Sequence, residues 1–267
     1  MAGAVVAVVG AGGKTGRAVV RALHDCGVAA ASVRQLVRAG ATPPHPPSVA
    51  GSREVDLEDA DSVLRAVEGA DVLYLLAPNM HPDEPGLVAR AVEAAARAGV
   101  RRVVYHSVLR PGLQDMPHHW GKLRAEELLW ASGLDVCVLQ PSAYAQNLAA
   151  CLRDGELVVP YAVDRPFSLV DLADVAEVAA TVITDAVHDG ATLELAGPVT
   201  TIRDVAQALG LRARRHRAPA APTGYAAEAL AAMYDWYDRH GLPGNPAVLR
   251  WLLGREPRHP VDVLRGR

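Results

Sequence analysis

The sequence predicts an α/β fold, a doubly wound parallel sheet with a small, mainly helical C-terminal cap. Three observations lead there: a strand that breaks into glycines and resumes as a helix at the amino terminus, strand and helix patterns that alternate as far as Leu139, and a loosening of that alternation after Pro141. A chain of 267 residues, 50% of them apolar, is long enough to bury such a core and to carry a second, smaller layer.

The first strand is the unbroken run Ala4 to Val9, which suits a central strand covered on both faces; the spacing of Val19, Val20 and Leu23 suits the helix that covers it. Val33 to Arg38 reads as a second strand and Glu54 to Asp56 as a short third one. Asp59 to Glu68 is a helix stopped by Gly69, and Asp71 to Pro78 is a fourth strand that ends at a residue unable to continue a ladder. Pro85 to Ala98 is a helix closed by Gly99, Arg102 to Val108 a fifth strand, His118 to Ser132 a helix and Leu134 to Leu139 a sixth strand. Such alternation forces parallel strands with helices on both faces, and ligands bind outside the strands' carboxyl ends, where Gly10, Arg38, Ala77, Pro78 and Ser107 fall.

After Pro141, residues 142–167 read as irregular up to Phe167, whose expected role is packing. Leu169 to Thr184 reads as a strand end plus helix, Thr192 to Leu195 as a strand, Thr201 to Leu209 as a helix and 212–223 as a basic, proline-bearing link. The tail then carries a helix with Met233, Tyr234, Trp236 and Tyr237, a turn from Gly241 to Gly244, and a last helix over Leu249, Trp251 and Leu252. The expected division is 1–141 with about 168–198 for the dinucleotide-binding core, and 142–167 with 199–267 for the cap.

The glycines at the first junction give the sharpest signal. Gly10 permits the turn out of the strand, Gly13 lets a pyrophosphate approach the backbone and Gly16 lets the helix pack closely on the sheet, so the helix presents free N–H groups and a positive dipole to phosphates. Gly12, Lys14 and Thr15 fill out this expected cofactor loop. The spacing is G-x-x-G-x-x-G, that of short-chain dehydrogenase relatives of the extended or atypical kind. Gly13-Lys14-Thr15 does not make a phosphate loop of the G-x-x-x-x-G-K-[ST] type, because Val8 stands where its first glycine belongs.

Net charge is −3, so no nucleic-acid footprint appears; no apolar run is long enough for a membrane span and the first residues lack a basic leader, so the expected compartment is the cytoplasm. The cysteines, Cys26, Cys137 and Cys151, form no C-x-x-C pair and read as small buried hydrophobes. His106, His118 and His119 lack the H-x-x-x-H spacing of a helical metal site, and no metal is expected.

In this order and spacing, the segments Val9 to Gly16, Leu36-Val37-Arg38, Gln140 to Leu148, Val170 to Ala176, Leu195 to Pro198 and Leu252 to Pro257 resemble the NmrA-like family of atypical short-chain dehydrogenases, over almost the whole chain. The resemblance implies a Rossmann core with an NADP(H) site and a C-terminal cap that forms a cleft with it; the family is similar in fold both to reductases and to redox-sensing regulators without turnover. Cofactor choice turns on Arg38, about twenty residues past the last glycine, where an NAD binder carries an acid. A guanidinium there suits a 2′-phosphate, with Arg34 and Lys14 as lesser candidates. Asp56-Leu57 is expected beside the adenine, or else Asp56 caps the next helix.

Ordinary short-chain dehydrogenases place Tyr-x-x-x-Lys on the helix after the fifth strand. Here Lys122 stands in the lysine's place, with His118 where the tyrosine belongs. Residues four apart share a helix face, so His118 is the expected proton donor beside Lys122, with His119 as the competing histidine and surface positions as the plainer reading of both. Ser107 resembles the substrate-orienting serine. His106, Tyr144 and Asn147 are expected to meet substrate and Trp236 and Tyr237 to wall it, core packing being the alternative for the last four. The function expected is NADPH-dependent reduction of a small carbonyl, enone or quinone-like molecule, by a monomer or homodimer. The alternatives are a non-catalytic NADP(H) sensor that binds a protein partner and a non-redox isomerase or lyase.

Overall fold

Val6–Val9 forms β1 with all four residues buried, and the chain leaves it through Gly10 into α1, Lys14–Asp25, which buries Gly16, Val19, Val20 and Leu23. In the computed structural model, which describes residues 3–41, 51–217 and 223–266, there follow β2 (Val33–Val37), β3 (Ser52–Glu54), α2 (Ala60–Val67), β4 (Val72–Leu75), α3 (Glu84–Arg97), β5 (Arg102–His106), α4 (Pro117–Trp130) and β6 (Asp135–Pro141). Then come β7 (Leu152–Arg153), β8 (Glu156–Val159), β9 (Pro166–Phe167), α5 (Leu172–Thr184), β10 (Thr192–Leu195), β11 (Thr200–Thr201), α6 (Ile202–Ala208), β12 (Arg212–Arg215), α7 (Tyr225–His240), α8 (Ala247–Leu253) and α9 (Pro260–Leu264).

The main sheet has seven strands in the order β10-β6-β5-β4-β1-β2-β3, with β1 to β6 paired in parallel. β1 lies between β2 and β4, so the chain runs away from it in both directions; that reversal opens a crevice at the strands' carboxyl ends. Side-chain caps start α2 and α3, Asp59 accepting from the Asp61 N–H and Asp83 from the Gly86 N–H. The helices lay Val63, Ala66, Val67, Leu87, Val88 and Ala91 into one core cluster with Leu73, Leu75, Val103 and Val138 of the sheet.

The chain divides into two compact units, unit 1 comprising Met1–Ser107, Gly121–Leu139 and Ala176–Leu193, and unit 2 comprising Val108–Trp120, Gln140–Val175 and Glu194–Arg267. Unit 2 has its own core, where Phe167 lies 5.1 Å from Tyr161 and 5.3 Å from Tyr237 between ring centroids.

Four expectations need correction. The third strand is Ser52–Glu54 and not Glu54 to Asp56, because the Val55 N–H makes the last bond to β2, to the Val37 carbonyl, and Asp56 turns away to meet Ser62. Residues 142–167 are not irregular: they hold a 3₁₀ turn (Ala145–Cys151) and the β7–β8 hairpin, and β9 pairs with β11. The basic link is in part β12, parallel to β8, with Arg212 and Arg214 both paired to Glu156 across the strands; the rest of the link, 218–222, lies outside the described residues. Cys26 is exposed at the end of α1, whereas Cys137 is buried and its thiol is pushed up to about 11, mainly by that burial. The short α9 had no sequence signal; His259 caps it by accepting from the Val261 N–H.

Candidate active site

The glycine turn joins β1 to α1 through a close backbone approach. Gly10 takes φ +70°, and its carbonyl lies where a Cβ on Gly16 would come within 2.2 Å of it, so α1 and the turn touch only because residue 16 has no side chain. Gly13 precedes α1 without any side-chain cap, no acid stands in the first turn, and Gly13 and Lys14 are exposed. α1 therefore opens with no side-chain cap from Gly13 and no acid in its first turn, and a phosphate fits there. The Ala11 N–H donates to the Leu36 carbonyl (3.2 Å), which ties the turn to the end of β2 that carries the exposed Arg38.

The other expected cofactor residues divide. Ala77 is buried and Pro78 exposed just past β4, and Leu57 is buried with its carbonyl accepting from Arg90 (3.1 Å). Asp56 is exposed and closes a turn by accepting from the Glu58 N–H (2.9 Å); Asp59, not Asp56, caps α2. Arg34 is no phosphate ligand: it is buried and donates to the carbonyls of Ala66 (3.3 Å) and Glu68 (2.7 Å) at the end of α2. Lys14 stays a candidate by position, its ammonium pKa lowered by partial burial.

Lys122 is not a solvated lysine. Its side chain is 5% exposed, and its ammonium lies 2.6 Å from Glu84 Oε1 and donates to the His106 carbonyl at 2.9 Å. Tyr105 donates its hydroxyl to the same Glu84 oxygen (2.8 Å), and its ring centroid is 5.1 Å from Lys122 Nζ. Burial first, and the Glu84 carboxylate second, hold the Tyr105 phenol well above its usual pKa. Strand alternation sends His106 to the opposite face, where its Nδ1 is 2.5 Å from the Tyr74 hydroxyl. Burial and then the Lys122 charge lower the His106 pKa to about 3, so its imidazole is neutral at physiological pH.

Ser107 is buried and donates its hydroxyl to the buried Glu126, one turn beyond Lys122 on α4. With its hydrogen given to a carboxylate, the serine oxygen can only accept from a ligand. Glu84, Tyr105, Tyr74 and Glu126 were all missed from sequence. Glu126 had a signal, its i, i+4 spacing from Lys122; Glu84 lay just ahead of the helix expected from Pro85 and carried none.

In unit 2, His118 and His119 are buried and not surface residues, with ring centroids 6.1 Å apart; His119 Nδ1 lies 3.4 Å from the Arg110 carbonyl. Tyr144 is half-buried and pairs with Val170, and Asn147 is exposed. Trp236 is half-buried, its ring 4.3 Å from that of His240, whereas Tyr237 belongs to the core, the packing alternative left open for it. Gln146, beside them, donates to Asp171 and accepts from the Leu172 N–H. Among the described residues no group of three or more His, Cys, Asp or Glu side chains is arranged to hold a metal ion, and no helix is long and apolar enough to cross a membrane.

A family model described as NAD(P)H-binding matches residues 10–186, the stretch that begins at the glycine turn. The chain belongs to this NAD(P)H-binding family. Quinone oxidoreductase 2 of Escherichia coli (strain K12) is 27% identical over 201 residues, which span 72% of this chain and 68% of the relative. An NADPH-dependent quinone oxidoreductase from Escherichia coli, solved in complex with NADPH, shares the fold with a TM-score of 0.83 at 24% identity, over 98% of this chain and 99% of that one. NmrA, a negative transcriptional regulator solved with NADP, does so with a TM-score of 0.77 at 19% identity, over 98% of this chain and 94% of that one. NmrA thus shares the fold of this chain.

Proposed function

We propose that the chain is an NADPH-dependent reductase of small quinone-like, enone or carbonyl substrates. The observation that carries this reading is the uncapped glycine turn tied to a strand end where an exposed Arg38 replaces the acid of an NAD binder. The quinone class is supported by the relative that is 27% identical. When bound, the nicotinamide supplies the hydride. The N–H groups opening α1 bind the pyrophosphate, Arg38 takes the 2′-phosphate, and Lys122 holds the nicotinamide ribose. Ser107, its hydrogen given to Glu126, accepts from the ligand, and His118 is the proton donor we assign in place of the missing tyrosine. Tyr144, Asn147 and Trp236 are the substrate residues we assign. The cytoplasm is the compartment, and a homodimer is an option that size-exclusion chromatography decides.

The test follows NADPH absorbance over a panel of quinones, enones and cyclic ketones, with wild type, Lys122→Ala and His118→Phe side by side. Turnover by wild type is expected, together with loss of rate and cofactor affinity in Lys122→Ala and loss of rate alone in His118→Phe. A second reading, a sensor that binds a protein partner, is favoured by His118 standing where the tyrosine belongs and by the likeness to NmrA. NADPH binding without turnover on any substrate, together with a partner association that differs between NADPH and NADP, replaces the first reading by the second.

A further inference from the structure

Lys122 is held from two sides. Glu84 Oε1 stands 2.6 Å from its ammonium and the His106 carbonyl 2.9 Å, with the side chains of Lys122 and Glu84 5% and 2% exposed. An ammonium has three hydrogens, so this pair of partners leaves one to give. Glu84 is itself fixed, because Tyr105 donates to the same carboxylate oxygen at 2.8 Å and Asp83 caps the helix on which Glu84 is the first residue. We propose that Glu84 is the positioning residue of the cofactor site, its carboxylate fixing the Lys122 ammonium so that the remaining hydrogen serves the bound dinucleotide. This rests on the reading of Lys122 as a cofactor contact.

The charged and titratable groups around Lys122 are Glu84 from α3, Tyr105 and His106 from β5, and Glu126 from α4 itself. Tyr105, raised well above its usual pKa by burial and then by Glu84, stays neutral, and His106, lowered to about 3 by burial and then by Lys122, gains no proton near neutral pH. Glu126 is engaged by Ser107. Glu84 is therefore the carboxylate in direct contact with the ammonium, and a buried ammonium deprived of it gives up its proton more readily.

The experiment measures NADPH affinity by titration calorimetry from about pH 7 to about pH 9 for wild type, Lys122→Ala, Glu84→Gln and Glu84→Asp. Lys122→Ala is expected to bind about tenfold more weakly at every pH. Glu84→Gln is expected to lose affinity as pH rises, by about tenfold at the upper end, until it binds like Lys122→Ala. Glu84→Asp, which keeps the charge but withdraws it by one methylene, is expected to bind severalfold more weakly with the pH profile of wild type. If Lys122→Ala binds weakly while Glu84→Gln follows wild type at every pH, the positioning role falls and the cofactor reading of Lys122 stands. If Lys122→Ala binds like wild type, both fall together. If Glu84→Gln does not fold, Glu84→Asp decides, and affinity equal to wild type overturns the proposal.

Discussion

Arg38 and Arg34 show how one residue type serves two ends according to where the strand stops. Arg34, mid-strand in β2, is drawn inward and holds the carbonyls that end α2, whereas Arg38, one residue past the strand, stays exposed beside the glycine turn. A charge-assisted contact is worth roughly 1.5 to 3 kcal/mol, and about 1.4 kcal/mol is a tenfold change, so Arg38→Ala is expected to weaken NADPH binding ten- to a hundredfold and to leave NADH binding nearly unchanged. Calorimetric titration with both dinucleotides checks it, and equal losses would mean that Arg38 reads no phosphate. The tight glycine turn and the exposed strand-end arginine were legible because both are local signals. The Lys122 surroundings were not. Glu84 precedes Lys122 by 38 positions, and only the stacking of α3 and α4 on one face of the sheet puts carboxylate and ammonium 2.6 Å apart.

Elements, more than single residues, were legible where apolar runs repeat. The strands β1, β2, β4, β5 and β6 fall within a few residues of their sequence signals because each buries a continuous run, and the helices between them pack on that sheet. β12 was hidden for the converse reason: its Arg-Ala-Arg-Arg run reads as a solvated link, and its pairing with β8 rests on cross-strand ion pairs with Glu156 and on backbone bonds. The junction of β1 and α1 is the element on which the proposed cofactor site depends most. A methyl on Gly16 would meet the Gly10 carbonyl at 2.2 Å and the Ala11 Cα at 2.8 Å, both backbone atoms with no side-chain rotation to relieve the clash. Gly16→Ala is therefore expected to cost about 3 kcal/mol, the upper end for overpacking, and to abolish measurable NADPH binding because the start of α1 is displaced. Thermal melting together with cofactor titration gives the result; unchanged melting and affinity would show that the helix does not need this approach.

At the scale of the whole molecule, the motifs at Gln146, at Asp171 to Asp174 and near the tail at Arg255 to Arg258 converge in unit 2, although they are spread over more than a hundred residues of chain. Asp174, fully buried, accepts from Arg255 Nη2 (2.9 Å) and from the Arg258 N–H (2.7 Å), while Asp171 accepts from Arg258 Nη1 (2.8 Å), from the Ala173 N–H (3.0 Å) and from Gln146. One arginine thus clasps the tail to the start of α5, and through Gln146 to the segment that carries Tyr144 and Asn147. The Asp171 carboxyl lies below the usual carboxylate pKa: burial alone would raise it, but its hydrogen bonds to Arg258, Ala173 and Gln146 together outweigh that and favour the ionised form. A carboxyl with a lowered folded-state pKa contributes stability that is fully present above the unfolded value, about 3.9, and is lost as pH falls through the folded one. Arg258 is 41% exposed, so solvent screens the pair, and Arg258→Ala is expected to destabilise by about 1–2 kcal/mol at neutral pH, well short of a fully buried pair. As pH falls below the unfolded-state value of about 3.9 and on through the lower folded-state one, Asp171 takes up a proton and the difference between the two melting temperatures shrinks. Melting curves of wild type and Arg258→Ala at neutral pH and at about pH 3 decide the matter. A gap that stays constant would mean that Arg258 holds the tail through its aliphatic stem, since alanine keeps the backbone N–H that Asp174 accepts, with no part played by the charge on Asp171.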